Sequence, residues 1–180
     1  TQFAINTGLK LHPEPQREFI KRKIKEELPK DFTKTIRELW SLFEEDKNVS
    51  SDKRLTLHGL AKTIFYNAYV AGDVLVVKRV KKGNLEYQVI NGLCVRNMTA
   101  APKDKNNKII DGVEISPTGE HINYYVVDEM TGKETIIPAR DSRGRLLAWL
   151  VPADDNRLGG VRGYSQLGAI MQKLQKIGQY

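Results

Sequence analysis

Two-residue alternation punctuated by turn residues is the strongest constraint on this chain. In Asp111-Gly112-Val113-Glu114-Ile115, the apolar Val113 and Ile115 alternate with polar neighbours. Pro117 and Gly119 then supply turn geometry, and Ile122, Tyr124 and Val126 resume the two-residue period. That succession is the signature of a β-hairpin.

Similar reasoning extends to either side. Val74 to Val80 is rich in β-branched residues and Leu85 to Ile90 alternates, with Lys82-Gly83-Asn84 between them, so the pair is expected as a second hairpin. A third ribbon is expected where the strand through Val127 turns at Met130-Thr131-Gly132-Lys133 and returns as Glu134 to Ile137. Ala101 to Lys108 reads as a polar excursion, and Leu146 to Val151 as an apolar run too short to assign as a helix.

Helical patterning lies at the two ends. The first dozen residues read as an extended arm closing at Pro13 and Pro15, followed by a very basic helix from Gln16 to Leu28 that Pro29 terminates. Asp31 is expected to cap, through its carboxylate, a helix running to about Lys47 with Phe32, Ile36, Leu39, Trp40 and Phe43 on one face. After the polar linker Asn48 to Lys53, a second amphipathic helix spans Leu55 to about Ala71, turning Leu57, Leu60, Ala61, Ile64, Phe65 and Ala68 inward. Gly72-Asp73 ends it. The pair Gly159-Gly160 breaks the chain before a closing helix with Leu167, Ile170, Met171, Leu174 and Ile177 at its apolar positions. The fold class is therefore α+β: N-terminal amphipathic helices, an antiparallel β-rich region and a closing C-terminal helix. Its parts are a mainly helical stretch 1–71, a mainly antiparallel stretch 72–158 and the helix 159–180. That helix is still periodic where the sequence stops, so a longer parent polypeptide is expected.

Composition narrows the function classes. A chain of 180 residues buries about 70% of its unfolded surface and folds without staples. Hydrophobic residues at 40% and charged residues at 28% are globular values, and no apolar run approaches membrane-spanning length. No secretory leader pattern opens the sequence. A single Cys94 excludes an intrachain disulfide and suits a reducing compartment. The formal charge of +7 favours anionic partners such as nucleic acid.

Chemical candidates are few. Gly159-Gly160-Val161-Arg162-Gly163 imitates a phosphate loop, but no Lys-Ser or Lys-Thr follows it. Gly163-Tyr164-Ser165-Gln166-Leu167-Gly168 has one residue too many for a nucleophile elbow, and helix capping is the better use of Ser165. His12, His58 and His121 are scattered, which argues against a metal site. The acidic runs Glu44-Glu45-Asp46 and Asp154-Asp155 read as solvated faces. Tyr124 and Tyr125 offer a stacking platform, although one of the two is expected to point inward, and Trp40 and Trp149 are read as core or interface residues. The remaining contenders are basic. Lys21, Arg22 and Lys25 on the first helix, and Lys78, Arg79, Lys81 and Lys82 at the first hairpin, are candidate phosphate contacts. Interleaved Glu18, Glu26 and Glu27 give the first cluster an equally good account as paired charges on an exposed helix. No constellation supports catalysis, and no cofactor or metal is expected.

The order of these elements resembles the lambda-type portal proteins of tailed phages. In that family a D/N-G-V/I-E hairpin ending in an aromatic strand precedes an I-P-A segment, here Ile137-Pro138-Ala139, and then an R-G helix start, here Arg162-Gly163-Tyr164-Ser165-Gln166-Leu167. Asn6-Thr7-Gly8-Leu9-Lys10-Leu11, the Trp40 helix and Ala71-Gly72-Asp73-Val74 also fall in the family's order. The family's usual Gln before the R-G pair is absent from Leu158-Gly159-Gly160-Val161, and its His after I-P-A is absent from Arg140-Asp141-Ser142-Arg143.

The resemblance implies the N-terminal wing portion of a portal, lacking the later stem and clip elements. It further implies a dodecameric homo-oligomeric ring at one capsid vertex, capsid and terminase partners, double-stranded DNA passing through the channel, and no membrane. The implied locations are the virion and, during assembly, the host cytoplasm. Gly72, Asp73, Gly112, Glu114, Arg162 and Gly163 would then be structural motif residues rather than chemical ones. A sequence-independent DNA-binding accessory domain of a mobile element is the alternative.

Overall fold

The computed structural model describes residues 31–98, 102, 104–154 and 159–177. The expected N-terminal arm and the basic helix bearing Lys21, Arg22 and Lys25 lie outside the described residues. The chain divides into two compact units between Ala61 and Lys62.

In the first unit, α1 spans Phe32–Glu45. Phe32, Ile36, Trp40 and Phe43 are half-buried, with the Trp40 and Phe43 rings 5.8 Å apart, but Leu39 is exposed although the same periodicity included it. The expected carboxylate cap is not formed: Asp31 supplies its backbone carbonyl, which accepts from both the amide and the hydroxyl of Thr35. The side-chain cap forms instead one element later. Asp46 accepts from the Asn48 amide at 2.8 Å and opens a 3-10 turn at Lys47–Val49, so α1 stops short of Lys47.

Helix α2 spans Leu57–Ala71 and crosses the division between the units. Leu60 and Ala68 are buried and Ile64 half-buried. Ala61 and Phe65, expected inward, are exposed. Phe65 instead stacks on Tyr69 with ring centroids 6.4 Å apart, because residues four apart share a helix face.

The second unit holds two antiparallel sheets. One has the order β2-β1-β7, from β1 (Asp73–Lys81), β2 (Asn84–Asn91) and β7 (Ala148–Pro152). The other is a meander of β3 (Lys108–Ile110), β4 (Val113–Ile115), β5 (His121–Val127) and β6 (Glu134–Pro138). All three hairpins read from the sequence are present. The short apolar run is strand β7, and it pairs with β1 so that Val76 faces Trp149.

Strand β1 explains why its sequence does not alternate. It is the central strand, and Val74, Leu75, Val76 and Val77 are all buried because both faces are covered. Leu75 and Val77 join Val95, Val113, Tyr124, Val126, Ala139 and Ala148 in the core shared by the two sheets. Val74 and Val76 pack on the other side with Ala68 of α2, flanked by Tyr87 and Trp149 in edge-to-face contact. Ala139 links the sheets, its carbonyl accepting from the amides of Leu147 and Ala148. Helix α3, Gln166–Ile177, closes the described chain, with Leu167, Ile170, Met171 and Ile177 exposed.

Two of the turns are fixed locally. Lys82-Gly83 and Asp111-Gly112 each place both central residues at positive φ, which a two-residue hairpin loop demands.

Candidate functional site

The two sheets and the entry to α3 meet at Arg162. Its guanidinium faces the Asp73 carboxylate side-on, with Nε to Oδ2 at 2.6 Å and Nη2 to Oδ1 at 2.8 Å. Nη2 also donates to the Gly92 carbonyl at 2.7 Å. Nη1 donates to the carbonyls of Val95, at 2.7 Å, and of Asp111. A guanidinium carries five N–H donors in a planar fork, and all five are used. The Asp73 side chain is 1% exposed and that of Arg162 17%, so the pair is shielded from solvent and its geometry, not its surface charge, is what matters.

Local sequence prepares each partner. Asp73 opens β1 directly after the glycine that ends α2, and Asp111, at φ of 47° in the tight β3–β4 turn, offers its carbonyl to Arg162 in a clasp closed by the Asp73 carboxylate. Glycines make room for the approach. A Cβ on Gly92 would lie 2.0 Å from Asp73 Oδ1, one on Gly112 2.3 Å from the Arg96 amide nitrogen, and one on Gly163 2.0 Å from the Gly72 carbonyl oxygen. The Gly163 amide donates to Asp73 Oδ2 at 3.0 Å. Gly72, Asp73, Gly112, Arg162 and Gly163, although far apart in sequence, thus converge on one locus.

Glu114, the remaining motif residue, lies elsewhere on β4. It is 1% exposed, and its carboxylate accepts from Asn107 at 2.8 Å, Asn123 at 2.7 Å and the Tyr125 hydroxyl at 3.0 Å. Burial pushes its pKa up, but the three donors outweigh that and hold the carboxyl below its ordinary value. The Tyr125 phenol is pushed up to about 12, first by burial and then by the hydrogen bond to Glu114 and its charge. The stacking platform expected at Tyr124-Tyr125 is therefore not available: both rings are buried, Tyr124 in the core between the sheets and Tyr125 on the Glu114 network. The two-residue period predicts one ring inward; both are covered, since Tyr124 joins the core between the sheets and Tyr125 the Glu114 network.

Other sequence candidates are placed as follows. Arg79, Lys81 and Lys82 are exposed at the β1–β2 tip, with Lys78 half-buried below them. Arg162 cannot serve a phosphate loop, since each of its donors points into the protein. Ser165 Oγ accepts from the Gly168 amide at 3.1 Å, capping α3. His121 Nδ1 lies 3.1 Å from the Tyr124 hydroxyl, and burial lowers its pKa. Among the described residues no group of three His, Cys, Asp or Glu side chains is arranged to hold a metal ion, and no helix is long and apolar enough to cross a membrane. Sequence reasoning missed Gly92, Asn107 and Asn123. Gly92 carried a weak signal, following Asn91, whose side chain caps the turn at Gly92–Cys94.

The chemical capacity of this arrangement is mechanical: a saturated ion pair and a buried hydrogen-bond network hold two sheets and a helix entry in one geometry. A family model described as phage portal protein, lambda family, matches residues 2–180. No curated protein matches the chain.

Proposed function

Because this chain belongs to the lambda family of phage portal proteins, we propose that it forms the wing part of a homo-oligomeric portal ring at one capsid vertex, the conduit for DNA packaging and ejection. The family is structural, its members being virion components. In this reading the ring is dodecameric, the terminase motor docks on a part of the longer protein beyond the wing, and assembly takes place in the host cytoplasm.

One observation from the structure supports assembly. Large apolar side chains are left open on two helices of a single chain: Tyr66, at 69% exposure, with Phe65 and Tyr69 on α2, and Met171, at 60%, with Ile170 and Ile177 on α3. Large apolar side chains left exposed on a helix supply surface for an interaction. A heterologous contact repeated by a rotation that closes makes a ring. The clasp then has a clear use, since a ring tolerates little variation in the angle between the surfaces that each subunit presents.

The exposed cations at Arg79, Lys81 and Lys82 favour the second reading, a sequence-independent DNA-binding accessory domain. Electron microscopy with solution mass on the full-length parent protein separates the two. Rings with a central channel are expected. A persistent monomer or dimer under assembly-permissive salt and concentration overturns the portal reading and puts DNA binding first.

A further inference from the structure

Three segments distant in sequence touch at Gly72. Its amide donates to the Ala68 carbonyl at 2.7 Å, closing α2, and its own carbonyl accepts from Ala153, just after β7, at 2.8 Å. Its φ of 103° lies where side chains are rarely accommodated, and a Cβ there would sit 2.8 Å from both the Gly163 carbonyl oxygen and the Ser165 amide nitrogen. The reverse holds on the other side, where a Cβ on Gly163 would meet the Gly72 carbonyl. Backbone thus lies directly on backbone, with no side chain between to deform. Arg162 and the Gly163 amide then pin the same point to Asp73, the first residue of β1. Two residues later Ser165 caps α3.

We propose that this Gly72–Gly163 junction is a rigid elbow that makes the C-terminal part of α2, strand β1 and helix α3 move as one body. Compliance in a protein usually resides in loops that absorb φ and ψ change. Here the loop that leads into α3 is arrested at Arg162 and Gly163 by six hydrogen bonds, five from the Arg162 side chain and one from the Gly163 amide. Among the described side chains of α3, Leu167, Ile170, Met171 and Ile177 are exposed, whereas the N-terminal end of the helix is held by the Gly163 amide and the Ser165 cap. A displacement of α3 is consequently delivered to Gly72 and from there to α2, while the second sheet shares in it through the Val95 and Asp111 carbonyls and through the core it forms with β1. This inference goes beyond the ring reading and does not rest on it.

The test is pulsed dipolar spectroscopy on the whole 180-residue chain in a Cys94→Ser background. Nitroxides at Tyr66 and Met171, both exposed, report α2 against α3. A second pair at Lys81 and Glu134, exposed on the first and second sheets, reports whether the sheets stay packed. A single narrow Tyr66–Met171 distance is expected for the parent. Gly163→Ala and Arg162→Gln should widen it about twofold with the Lys81–Glu134 distance unchanged, as loss of a hinge constraint requires. A broad distribution in the parent, or an unaltered one in both folded variants, overturns the elbow. Should both variants unfold, hydrogen exchange of the parent decides the matter: the amides of Gly72, Ala153 and Gly163 must exchange together with those of β1, and a Gly163 amide that exchanges far faster than Gly72 refutes the proposal.

Discussion

Arg162 and Asp73 stand 89 residues apart in sequence, yet their side chains form a side-on pair with both contacts at 2.8 Å or less. The carbonyls of Gly92, Val95 and Asp111 complete the arginine's hydrogen bonding, so one side chain ties together four separate stretches of chain.

Breaking this pair should be costly from either side. Arg162→Met leaves the Asp73 carboxylate and three carbonyls without their partner, and Asp73→Ala leaves a buried guanidinium; each is expected to lose about 3–5 kcal/mol of stability. Arg162→Lys should recover little of that, since an ammonium cannot span a side-on carboxylate and three diverging carbonyls. Urea unfolding of the purified chain measures all three, and a loss below about 1 kcal/mol, the value of an exposed pair, rules the clasp out as a stabilising centre.

Glycine substitutions should separate steric need from turn preference. Gly92 has ordinary φ, so Gly92→Ala acts only by driving a methyl group into Asp73, and it should destabilise by more than about 2 kcal/mol. Gly119 has φ of 87° but nothing within 4 Å, so Gly119→Asn should cost about 1 kcal/mol or less. Thermal melts of the two variants side by side check the ordering.

The Glu114 network predicts a pH dependence. Its folded pKa lies below the ordinary value of 4.5, so Glu114 contributes stability above pH 4.5 that is lost as pH falls through the folded value. Tyr125 acts at the other limit: with a folded pKa of about 12 against 10.0, its contribution is present below pH 10 and lost as pH rises through about 12. Glu114→Gln turns an amide N–H toward donors and should cost roughly 2 kcal/mol at pH 7. Urea midpoints from pH 3 to 7 should show the gap between parent and variant closing below pH 4.5. A constant gap would mean that the fold does not lower the pKa of Glu114.

The basic tip of the first hairpin gives a separable test. Replacing Arg79, Lys81 and Lys82 by Gln should leave stability within about 0.5 kcal/mol, because these side chains are exposed. If they face phosphates, the salt slope of double-stranded DNA binding falls by up to about three units. An unchanged slope places the DNA-facing surface elsewhere.

For the exposed helix face, Ile170→Glu with Met171→Glu should leave the folded monomer within about 0.5 kcal/mol of the parent while abolishing ring assembly of the full-length protein. Analytical ultracentrifugation of the full-length variant reads the second effect. Rings that survive the double change exclude this face as a subunit contact.

The sequence by itself determined the local elements. Lys82-Gly83, Asp111-Gly112 and Gly119 adopt positive φ, and the alternation through Val113, Ile115, Ile122 and Val126 sets the strands between such turns. Chirality and side-chain alternation act within a few residues, so these features are legible without the rest of the chain. The amphipathic helices were legible too, but their inward faces were read too broadly, because periodicity marks an apolar stripe without saying how much of it a neighbour covers. Leu39, Ala61 and Phe65 are the exposed remainder.

Only the tertiary structure decided which distant residues meet. Nothing near Arg162 in sequence names Asp73 as its partner, and nothing near Tyr125 reveals that a buried carboxylate waits on the adjacent strand. Those contacts exist because the closing of two sheets around Leu75, Val113 and Tyr124 removes water from particular groups at once. A charge or hydroxyl taken out of water must find a partner in whatever the fold has brought beside it, and that neighbour is set by the path of the whole chain.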